Sequence, residues 1–418
     1  MLNGTHRVVV TGIGIVSPIG IGVAAFWEAM LAGQIGIRTI TRFDATGYTS
    51  RIAAEIDAFD PTDYMTPKRV RWTDRFAQYA VAAAQGAFAD AGLFANGAAV
   101  NGRRDDVGVF IGSALGGVAY ADEQHDVFRE RGLAGVKPLL AISVFGGAAT
   151  SNVALEFGLR GPTVANANSC AAGSVAIGEA FRAIQRGDIR AAVAGGAEAP
   201  LSPLCFGAFT IIGAMSKRND DPQHSSRPFD RERDGFVMAE GAGMLVLERY
   251  EDAVSRGAQI YGEVLGFATT NDAHHMSAPR PDGESAARAM QLALDEAHIA
   301  PDELEAVSAH GSATALGDHA ETLALHRVLG EAAARVPVTA SKGQHGHGFG
   351  ASGAWEAALS VLTLRNGVLP RVVGHIVDDP KCELDLVRSN TTGAVRTMLS
   401  NTTGFGGINA ALVFSAID

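Results

Sequence analysis

The stretch Asn168-Ser169-Cys170-Ala171-Ala172-Gly173-Ser174 opens an apolar segment that we predict to be a helix over Ala171–Arg186. Its small side chains would let another backbone or a ligand approach the start of that helix closely. The thiol of Cys170 would lie at the positive end of the helix dipole, a placement that lowers a thiol pKa. The alternative is that Cys170 is a small buried hydrophobic residue, and this stretch alone leaves both interpretations open.

Short β-branched runs bounded by glycine alternate with helical segments on both sides of this stretch. The runs are typical of buried strands, and their alternation with helices predicts an α/β fold with covered sheets. No Pro/Ser-rich or charged linker divides the chain, so we expect one compact body with its best boundary near Tyr250–Gln259. The predicted strands are Arg7–Val10, Val107–Ile111, Ala191–Ala194, Met244–Leu247, Ile260–Phe267, Leu304–Ser308, Val336–Thr339 and Ala410–Phe414, and the other predicted helices are Asp74–Ala91, Glu284–His298, Asp318–Leu329 and Ser352–Arg365.

The composition excludes several classes of protein. The 418 residues carry 34 basic and 45 acidic side chains, a net charge of −11, and 47% are hydrophobic, which is ordinary for a globular chain of roughly two to three domain-sized units. The acidic balance disfavours a nucleic-acid-coating protein. Three scattered cysteines (Cys170, Cys205 and Cys382) predict neither a disulfide framework nor a zinc site, so we expect a reduced, cytoplasmic setting. We expect no secretory signal and no membrane-spanning helix, since apolar runs are short.

Two histidine segments follow predicted strands, where functional sites are usually built. One is Ser308–Thr314, which contains His310, and the other is Ser341–Gly350, which contains His345 and His347. A thiolate with two imidazoles is compatible with a cysteine hydrolase, a metal site or an acyl-transfer site. A hydrolase would need a single His oriented by Asn or Asp, and the HxH pair has no evident third ligand for zinc.

Two glycine-rich loops carry weaker signals. The loop Thr403–Asn409 could direct backbone N–H groups into a cavity as an oxyanion hole, or it could be a glycine hairpin. After the first predicted strand, Gly12 and Gly14 suggest a dinucleotide-binding turn. Ser17 stands at the third glycine position of that fingerprint, which disfavours this interpretation.

Motifs spread over the whole chain match one protein family. They are VVVTGIGIVSPIG from Val8, GPTVANANSCAAGS through Cys170, GGAEAPLSP from Gly195, KRNDDPQHSSRPFDRERDGFVMAEGAGMLVLE from Lys217, NDAHHM from Asn271, AHGSATALGDHAET from Ala309, SKGQHGHGFGASGAWE from Ser341 and GFGGINAALVF from Gly404. The chain resembles the β-ketoacyl-acyl-carrier-protein synthases of the thiolase superfamily, elongating type. The resemblance implies a thiolase-like α/β fold in five α-β-α-β-α layers, normally dimeric. It implies two similar halves, 1–255 with the nucleophilic cysteine and 256–418 with the catalytic histidines.

The resemblance also implies roles for single residues. Cys170 matches the nucleophile, and His310 and His347 match the two catalytic histidines. Lys342 matches the lysine of the K-x-x-x-G-H motif, with Glu321 as its acidic partner.

Three more positions match the binding of the substrate. Phe405 matches the gating phenylalanine, whose backbone N–H joins that of the nucleophile in the oxyanion hole. Ser312 and Thr314 match the positions that bind phosphopantetheine. No metal is implied, and no cofactor beyond the phosphopantetheine that carries the substrates.

The implied reaction is a decarboxylative Claisen condensation of a cysteine-bound acyl chain with malonyl-acyl-carrier protein, in fatty-acid or polyketide synthesis. The alternative is a non-catalytic subunit resembling a chain-length factor, which the presence of Cys170 and both histidines disfavours. The implied partners are an acyl-carrier protein and a second subunit, in a homodimer or a heterodimer with a chain-length factor, with no nucleic acid or membrane. Since carrier proteins are acidic, we expect docking at the basic residues Lys68, Arg69, Arg71, Arg129 and Lys137.

Overall fold

The longest strands are buried along their whole length, so both faces of the sheets must be covered by other elements. Neither β1 (Val8–Ser17) nor β7 (Ala191–Glu198) has an exposed residue. The structure is a computed structural model, and it describes residues 6–93 and 104–417. In these ranges the predicted α/β fold is confirmed.

Strands and helices alternate along most of the chain. The remaining strands are β2 (Gly20–Ile21), β3 (Arg38–Thr39), β4 (Ile52–Ala54), β5 (Val107–Gly112), β6 (Thr163–Asn166), β8 (Met238–Ala239), β9 (Gly241–Arg249), β10 (Gly262–Asn271), β11 (Ala306–Ser308), β12 (Val338–Thr339), β13 (Val368–Leu369), β14 (Thr391–Thr392), β15 (Thr397–Gly404) and β16 (Ile408–Ser415). The α-helices are α1 (Val23–Ala32), α2 (Pro67–Val70), α3 (Arg75–Asp90), α4 (Val118–Arg131), α5 (Leu140–Ser143), α6 (Ala148–Phe157), α7 (Ala172–Gln185), α8 (Pro203–Ile212), α9 (Tyr250–Ser255), α10 (Glu284–Ala297), α11 (Ala315–Leu329), α12 (Lys342–His345) and α13 (Ser352–Asn366).

Ten of the eleven strands of the large sheet form two sets of five with the same order and the same directions, and β2 pairs with the end of β1. The first set is ordered β6-β5-β7-β9-β1, and the second is ordered β12-β11-β15-β16-β10. In each set the first three strands are parallel and the last two pairings are antiparallel. A short antiparallel pairing of β1 with β10 joins the two sets.

Alternation of side chains along the strands separates the core into layers. On β7, Ala192 and Ala194 join one apolar cluster, and the intervening Val193 joins another. The first cluster contains α7 and α13, which contact strands of both sets and therefore form the middle layer. α3 and α6 cover the outer face of the first set, and α10 covers that of the second with α11 packed against it.

All eight predicted strands and all five predicted helices are present, with ends shifted by a few residues and extended by as many as seven in β1. The sequence analysis missed the strands β6 and β15 and the helices α1, α4, α6 and α8, together with all the shorter elements except β11 and β12. The strand β6 has polar and small residues and is exposed at the sheet edge, so it lacks the apolar pattern that marks the other strands. The segment expected to be a polar boundary contains the short helix α9. Within 6–93 and 104–417, no helix combines the length and the apolar character that crossing a membrane requires.

Packing of α3 on β1 depends on a glycine, and this gives a stability test. A Cβ at Gly14 would lie 1.8 Å from the carbonyl oxygen of Ala83, whereas a Cβ at Gly86 would meet its nearest atom at 3.5 Å. We expect Gly14→Ala to lower the free energy of unfolding by about 1–3 kcal/mol. Gly86→Ala, in the middle of α3, is expected to raise it by about 0.5–1 kcal/mol. Urea denaturation measures both, and equal effects of the two substitutions would contradict this account of the packing.

Candidate active site

The thiol of Cys170 lies where the strand β6 turns into α7. A single turn, Ser169–Ala171, joins them, and Ser169 adopts a left-handed backbone conformation with φ 52°. Cys170 is 5% exposed. The expected close approach at this helix start is confirmed, because a Cβ at Gly173 would lie 2.5 Å from the carbonyl oxygen of Gly350.

The second set of strands brings both predicted histidines into the same pocket as this thiol. His310 follows β11, and His347 follows the short helix after β12, so the parallel strands deliver them to the same edge of the sheet. The Nε2 atom of His347 is 3.0 Å from the Cys170 Sγ atom. The rings of His310 and His347 are perpendicular, with centroids 5.3 Å apart.

Lys342 fixes the proton of His310. Its buried ammonium donates to the His310 carbonyl oxygen at 2.6 Å, contacts the His310 Nδ1 atom at 3.3 Å and pairs with Glu356. An ammonium has three N–H donors and no acceptor, so Nδ1 of His310 must accept. The neutral ring therefore carries its proton on Nε2.

The expected pairing of Lys342 with Glu321 is wrong. The carboxylate of Glu356, on α13, is the ion-pair partner of Lys342. Glu321 instead accepts from the backbone N–H groups of His310 at 2.7 Å and Gly311 at 2.8 Å, and from the Asn401 side chain at 2.7 Å. Glu321 thus holds the loop that carries His310, while Glu356 neutralises the lysine. Sequence order could not distinguish these two buried acids.

Burial sets the protonation of the site. It lowers the pKa of His310 and of His347 well below 6.5, and the charge of Lys342 adds to this effect. Burial also raises the pKa of Glu356 to about 7, with the Lys342 charge opposing. At neutral pH both imidazoles are therefore neutral.

The expectation of a lowered thiol pKa is also corrected. Burial raises the pKa of Cys170 to about 11, against the opposing effects of Ser169, Lys342 and the Phe405 backbone N–H. Desolvation of the thiolate outweighs these favourable contacts in the closed pocket. The thiol keeps its proton at rest and has an acceptor in His347.

The glycine-rich loop after β15 brings a backbone donor to the thiol. Phe405 begins the turn between β15 and β16, and its N–H faces the Cys170 sulfur. A Cβ at Gly404 would lie 3.0 Å from the Cys170 nitrogen, so a larger residue would push the two backbones apart. The loop is a turn between antiparallel strands and also directs an N–H into the pocket, so both sequence interpretations apply to it.

A cavity of about 350 Å³ connects these groups to the surface. The predicted site residues on its wall are Cys170, His310, Ser312, Thr314, His347 and Phe405. The hydroxyls of Ser312 and Thr314 are 2.9 Å apart, and Thr314 also caps α11 by accepting from Gly317. Lys342 and Glu321 are buried behind this wall.

The five predicted docking residues lie outside the cavity wall. Lys68, Arg71, Arg129 and Lys137 are exposed. Arg69 is half-buried, with an ion pair to Glu156 at 3.1 Å and a bond to the Asn152 carbonyl oxygen.

The HxH pair does not form a metal site. His345 is turned away from the cavity against Trp355, with ring centroids 4.8 Å apart, and its Nδ1 contacts the Gly346 carbonyl oxygen. In the described part of the chain, no three His, Cys, Asp or Glu side chains are grouped as metal ligands. All three cysteines are free and buried.

Several residues of the site were missed by the sequence analysis. Besides Glu356, they include Ser352, whose hydroxyl contacts His347 Nδ1 at 3.0 Å, and Glu198, which accepts from Ala114, Ser113 and Gly350. The sequence did contain a sign that Glu198 and Glu356 are buried. Glu198 ends an otherwise apolar strand, and Glu356 lies in a helix with no exposed face before Arg365. Charged residues in such positions are rarely buried without a partner.

Comparison with known proteins identifies the class to which this fold and site belong. The model of the beta-ketoacyl synthase N-terminal domain matches residues 5–253, and that of the C-terminal domain matches residues 261–375. The chain therefore belongs to the β-ketoacyl synthase family.

Individual relatives agree with this family. The chain is 41% identical over 418 residues to 3-oxoacyl-[acyl-carrier-protein] synthase 2 of Staphylococcus aureus, covering 100% of both proteins. It is 40% identical to the protein of that name in Synechocystis, covering 98% of this chain and 97% of the relative. Among solved structures, the ishigamide ketosynthase/chain length factor gives a TM-score of 0.92 at 33% identity, and a beta-ketoacyl synthase from Burkholderia phymatum gives 0.91 at 36%, each covering 99% of this chain and 100% of the other. These neighbours confirm the predicted thiolase-like ketosynthase fold.

The corrected partner of Lys342 can be tested by paired substitutions. Glu356→Gln leaves a buried ammonium without a counter-charge, and we expect it to lower the free energy of unfolding by about 3–5 kcal/mol and to reduce turnover. Glu321→Gln removes one acceptor from neutral donors, and we expect a cost of about 1–3 kcal/mol. Denaturation at pH 8 measures both. An equal or larger loss for Glu321→Gln would contradict the assignment.

Proposed function

We propose that the protein catalyses the decarboxylative condensation of an acyl chain, held as a thioester on Cys170, with malonyl-acyl-carrier protein, to give a β-ketoacyl-acyl-carrier protein. The observation that carries this proposal is the 3.0 Å contact between Cys170 Sγ and His347 Nε2 at a cavity wall that also bears His310. The names of the relatives, 3-oxoacyl-[acyl-carrier-protein] synthase 2, support it. The enzyme is an acyltransferase of fatty-acid or polyketide synthesis.

The first step loads the acyl chain. His347 Nε2 accepts the thiol proton as the sulfur attacks the carbonyl carbon of the incoming thioester. The C–S bond to phosphopantetheine then breaks, and the proton passes to the departing thiolate. The backbone N–H groups of Cys170 and Phe405 face the position where the carbonyl oxygen becomes an oxyanion.

The second step removes CO₂ from the malonyl thioester. The C–C bond to the carboxylate breaks, and its electron pair forms an enolate with negative charge on the thioester oxygen. The Nε2–H of His310, fixed by Lys342, donates to that oxygen. Once Cys170 is acylated its S–H no longer donates to His347, so the neutral His347 ring carries its proton on Nε2, with Nδ1 facing the Ser352 hydroxyl, and supplies a second donor. Because both imidazoles are neutral, they act as hydrogen-bond donors.

The third step forms the product. The enolate carbon attacks the acyl carbonyl on Cys170, and the C–S bond breaks. The sulfur takes a proton from water that enters the cavity, which is the one proton that the overall condensation consumes, and the β-ketoacyl chain leaves on the carrier protein. Ser312 and Thr314 are proposed to bind the phosphopantetheine arm, supported by their adjacent hydroxyls on the cavity wall. The chemistry uses only the substrates, water and the side chains described, so we propose no additional cofactor.

The non-catalytic alternative is less well supported. A chain-length-factor-like subunit would have no need of a thiol in contact with an imidazole or of a buried lysine that fixes a second imidazole. Both features are present in this protein.

We propose that the two halves 1–255 and 256–418 each carry one part of the site and that the protein works as a dimer in the cytoplasm. The repeated strand order supports the two halves. The strand β6 supports dimerisation, because among the described residues no strand pairs with its outer edge and Val164 is 39% exposed there. A related ketosynthase pairs with a chain length factor, so the second subunit is a copy of this chain or such a factor.

The roles of the site residues predict a separation of the two half-reactions. Cys170→Ala should abolish acylation by acyl-carrier protein, and Cys205→Ala, which removes another buried thiol, should leave it intact. His310→Ala should still become acylated, while its condensation rate falls about 10²–10³-fold through loss of one oxyanion donor. Intact-protein mass spectrometry and a condensation assay measure the two steps. Acylation elsewhere than Cys170 would refute the proposal.

We propose that the partner is an acyl-carrier protein. Substitution of the predicted docking residues provides a second test. A relative of known structure was solved as an acyl-carrier protein in complex with its ketosynthase. Reversing Lys68 and Arg69 to Glu should weaken carrier binding, with less effect as the salt concentration rises. Arg288→Glu, on the exposed face of α10, is the matched control. Carrier affinity is measured at low and at high salt concentration, and equal affinities for all three proteins would exclude this surface.

A further inference from the structure

A continuous series of aromatic rings links the two sides of the active site. The ring of Phe349 stacks on His347, with centroids 4.9 Å apart and planes at 22°. Phe349 also contacts Phe209 at 5.1 Å, and Phe209 stacks on Phe405 at 6.1 Å with planes at 9°. These separations are those of interacting aromatic pairs. The four side chains therefore connect the oxyanion loop to the imidazole beside the thiol.

Phe349 adopts an unfavourable backbone conformation to take part in this series. Its φ of 46° is in the left-handed region, which is rare for a bulky residue, and its side chain is 2% exposed. Such a conformation persists only where surrounding packing requires it, and it is found most often at functional sites. In this protein it turns the ring back onto His347, two residues earlier in the chain.

The imidazole of His347 is consequently fixed on several sides. Ser352 contacts its Nδ1 atom at 3.0 Å, and the Cys170 sulfur contacts Nε2. Phe349 covers one face, and the ring of Phe236 meets it edge-on at 5.4 Å. A shift of the Phe349 ring would therefore change the direction in which Nε2 points.

The other end of the series lies beside the sulfur that would carry the acyl group. The Phe405 N–H faces the Cys170 sulfur, and Cys170 packs in the same apolar cluster as Phe349, with Phe209 at its edge. An acyl chain bonded to the sulfur enters this neighbourhood, since Phe349 and Phe405 line the same cavity as the sulfur. Phe209 and Phe405 are half-buried, while Phe349 is buried, so the first two have more room to move.

We propose that Phe349 is a positioning residue that, through Phe209, couples the acylation of Cys170 to the alignment of His347 for decarboxylation of the malonyl thioester. This inference rests on the function proposed above. When Cys170 carries no acyl chain, the rings hold His347 against the free thiol. When it is acylated, the thiol contact is lost and the displaced rings direct Nε2 towards the malonyl oxygen.

The coupling prevents a wasteful reaction. If CO₂ leaves before an acyl acceptor is present, the enolate takes a proton from water, and malonyl-carrier protein becomes acetyl-carrier protein. In a coupled enzyme the loss of CO₂ is rare until Cys170 is acylated, and after acylation the enolate attacks the acyl group rather than water. The ratio of acetyl-carrier to β-ketoacyl-carrier product therefore reports the coupling.

The test compares this ratio in wild-type and variant proteins of full length. Phe349→Leu removes the stacked ring and keeps apolar bulk, and Phe209→Leu breaks the series without touching His347. We expect each to raise the acetyl to β-ketoacyl ratio about tenfold, within the up to about 10²-fold loss that a misplaced catalytic group causes. Because the two rings act in series, Phe209→Leu/Phe349→Leu should match the single variants rather than multiply their effects. Phe88→Leu, in an aromatic pair with Phe157 away from the cavity, is the control and should keep the wild-type ratio.

Cys170 should still be acylated to completion in all variants, as mass spectrometry measures, although Phe349→Leu slows this step because His347 also accepts the thiol proton. Complete acylation separates coupling from loss of structure. Phe349→Leu that lowers both products equally, with no change in ratio, would overturn the proposal, as would a multiplicative double variant. A wild-type protein that makes no β-ketoacyl product would refute the proposed function itself, so the two failures are distinct.

Discussion

The buried ammonium of Lys342 is the interaction on which the rest of the site depends. A buried charge costs several kcal/mol unless it is paired and its donors are all used. In this site three donors meet three acceptors: the His310 ring, the His310 carbonyl oxygen and Glu356. Because these acceptors come from the end of β11 and from α13, the middle layer and the second set of strands cannot shift independently without leaving the charge unpaired.

That constraint also explains the state of the histidines. A positive charge next to His310 and complete burial keep its ring neutral, and the same charge disfavours protonation of His347. A neutral ring that points its N–H at the substrate can stabilise an oxyanion as it develops. An imidazolium ring, by contrast, would bind any anion in the pocket before the reaction begins. The thiol, for its part, is held neutral by desolvation and exchanges its proton only with a group in contact, so reactivity depends on geometry rather than on a permanently ionised sulfur.

Much of the fold and part of the site could be predicted from the sequence. The apolar strands and amphipathic helices have local patterns, so their positions and the α/β class followed directly. Cys170, His310 and His347 were found through motifs, and the structure brings all three together. The partner of Lys342 was predicted wrongly. Both Glu321 and Glu356 are buried and far from Lys342 along the chain, so no local pattern shows which of the two carboxylates contacts the lysine.

The sequence by itself determined most of the long elements and the chemical groups available, since these depend on neighbouring residues and on side-chain type. Only the tertiary structure decided which groups touch. It placed His347 on the thiol, gave Lys342 its counter-charge and raised the thiol pKa, because burial and distance arise where loops from remote strands converge. It also aligned Phe349 with His347 and Phe209, a contact that depends on one left-handed backbone angle and the packing that enforces it.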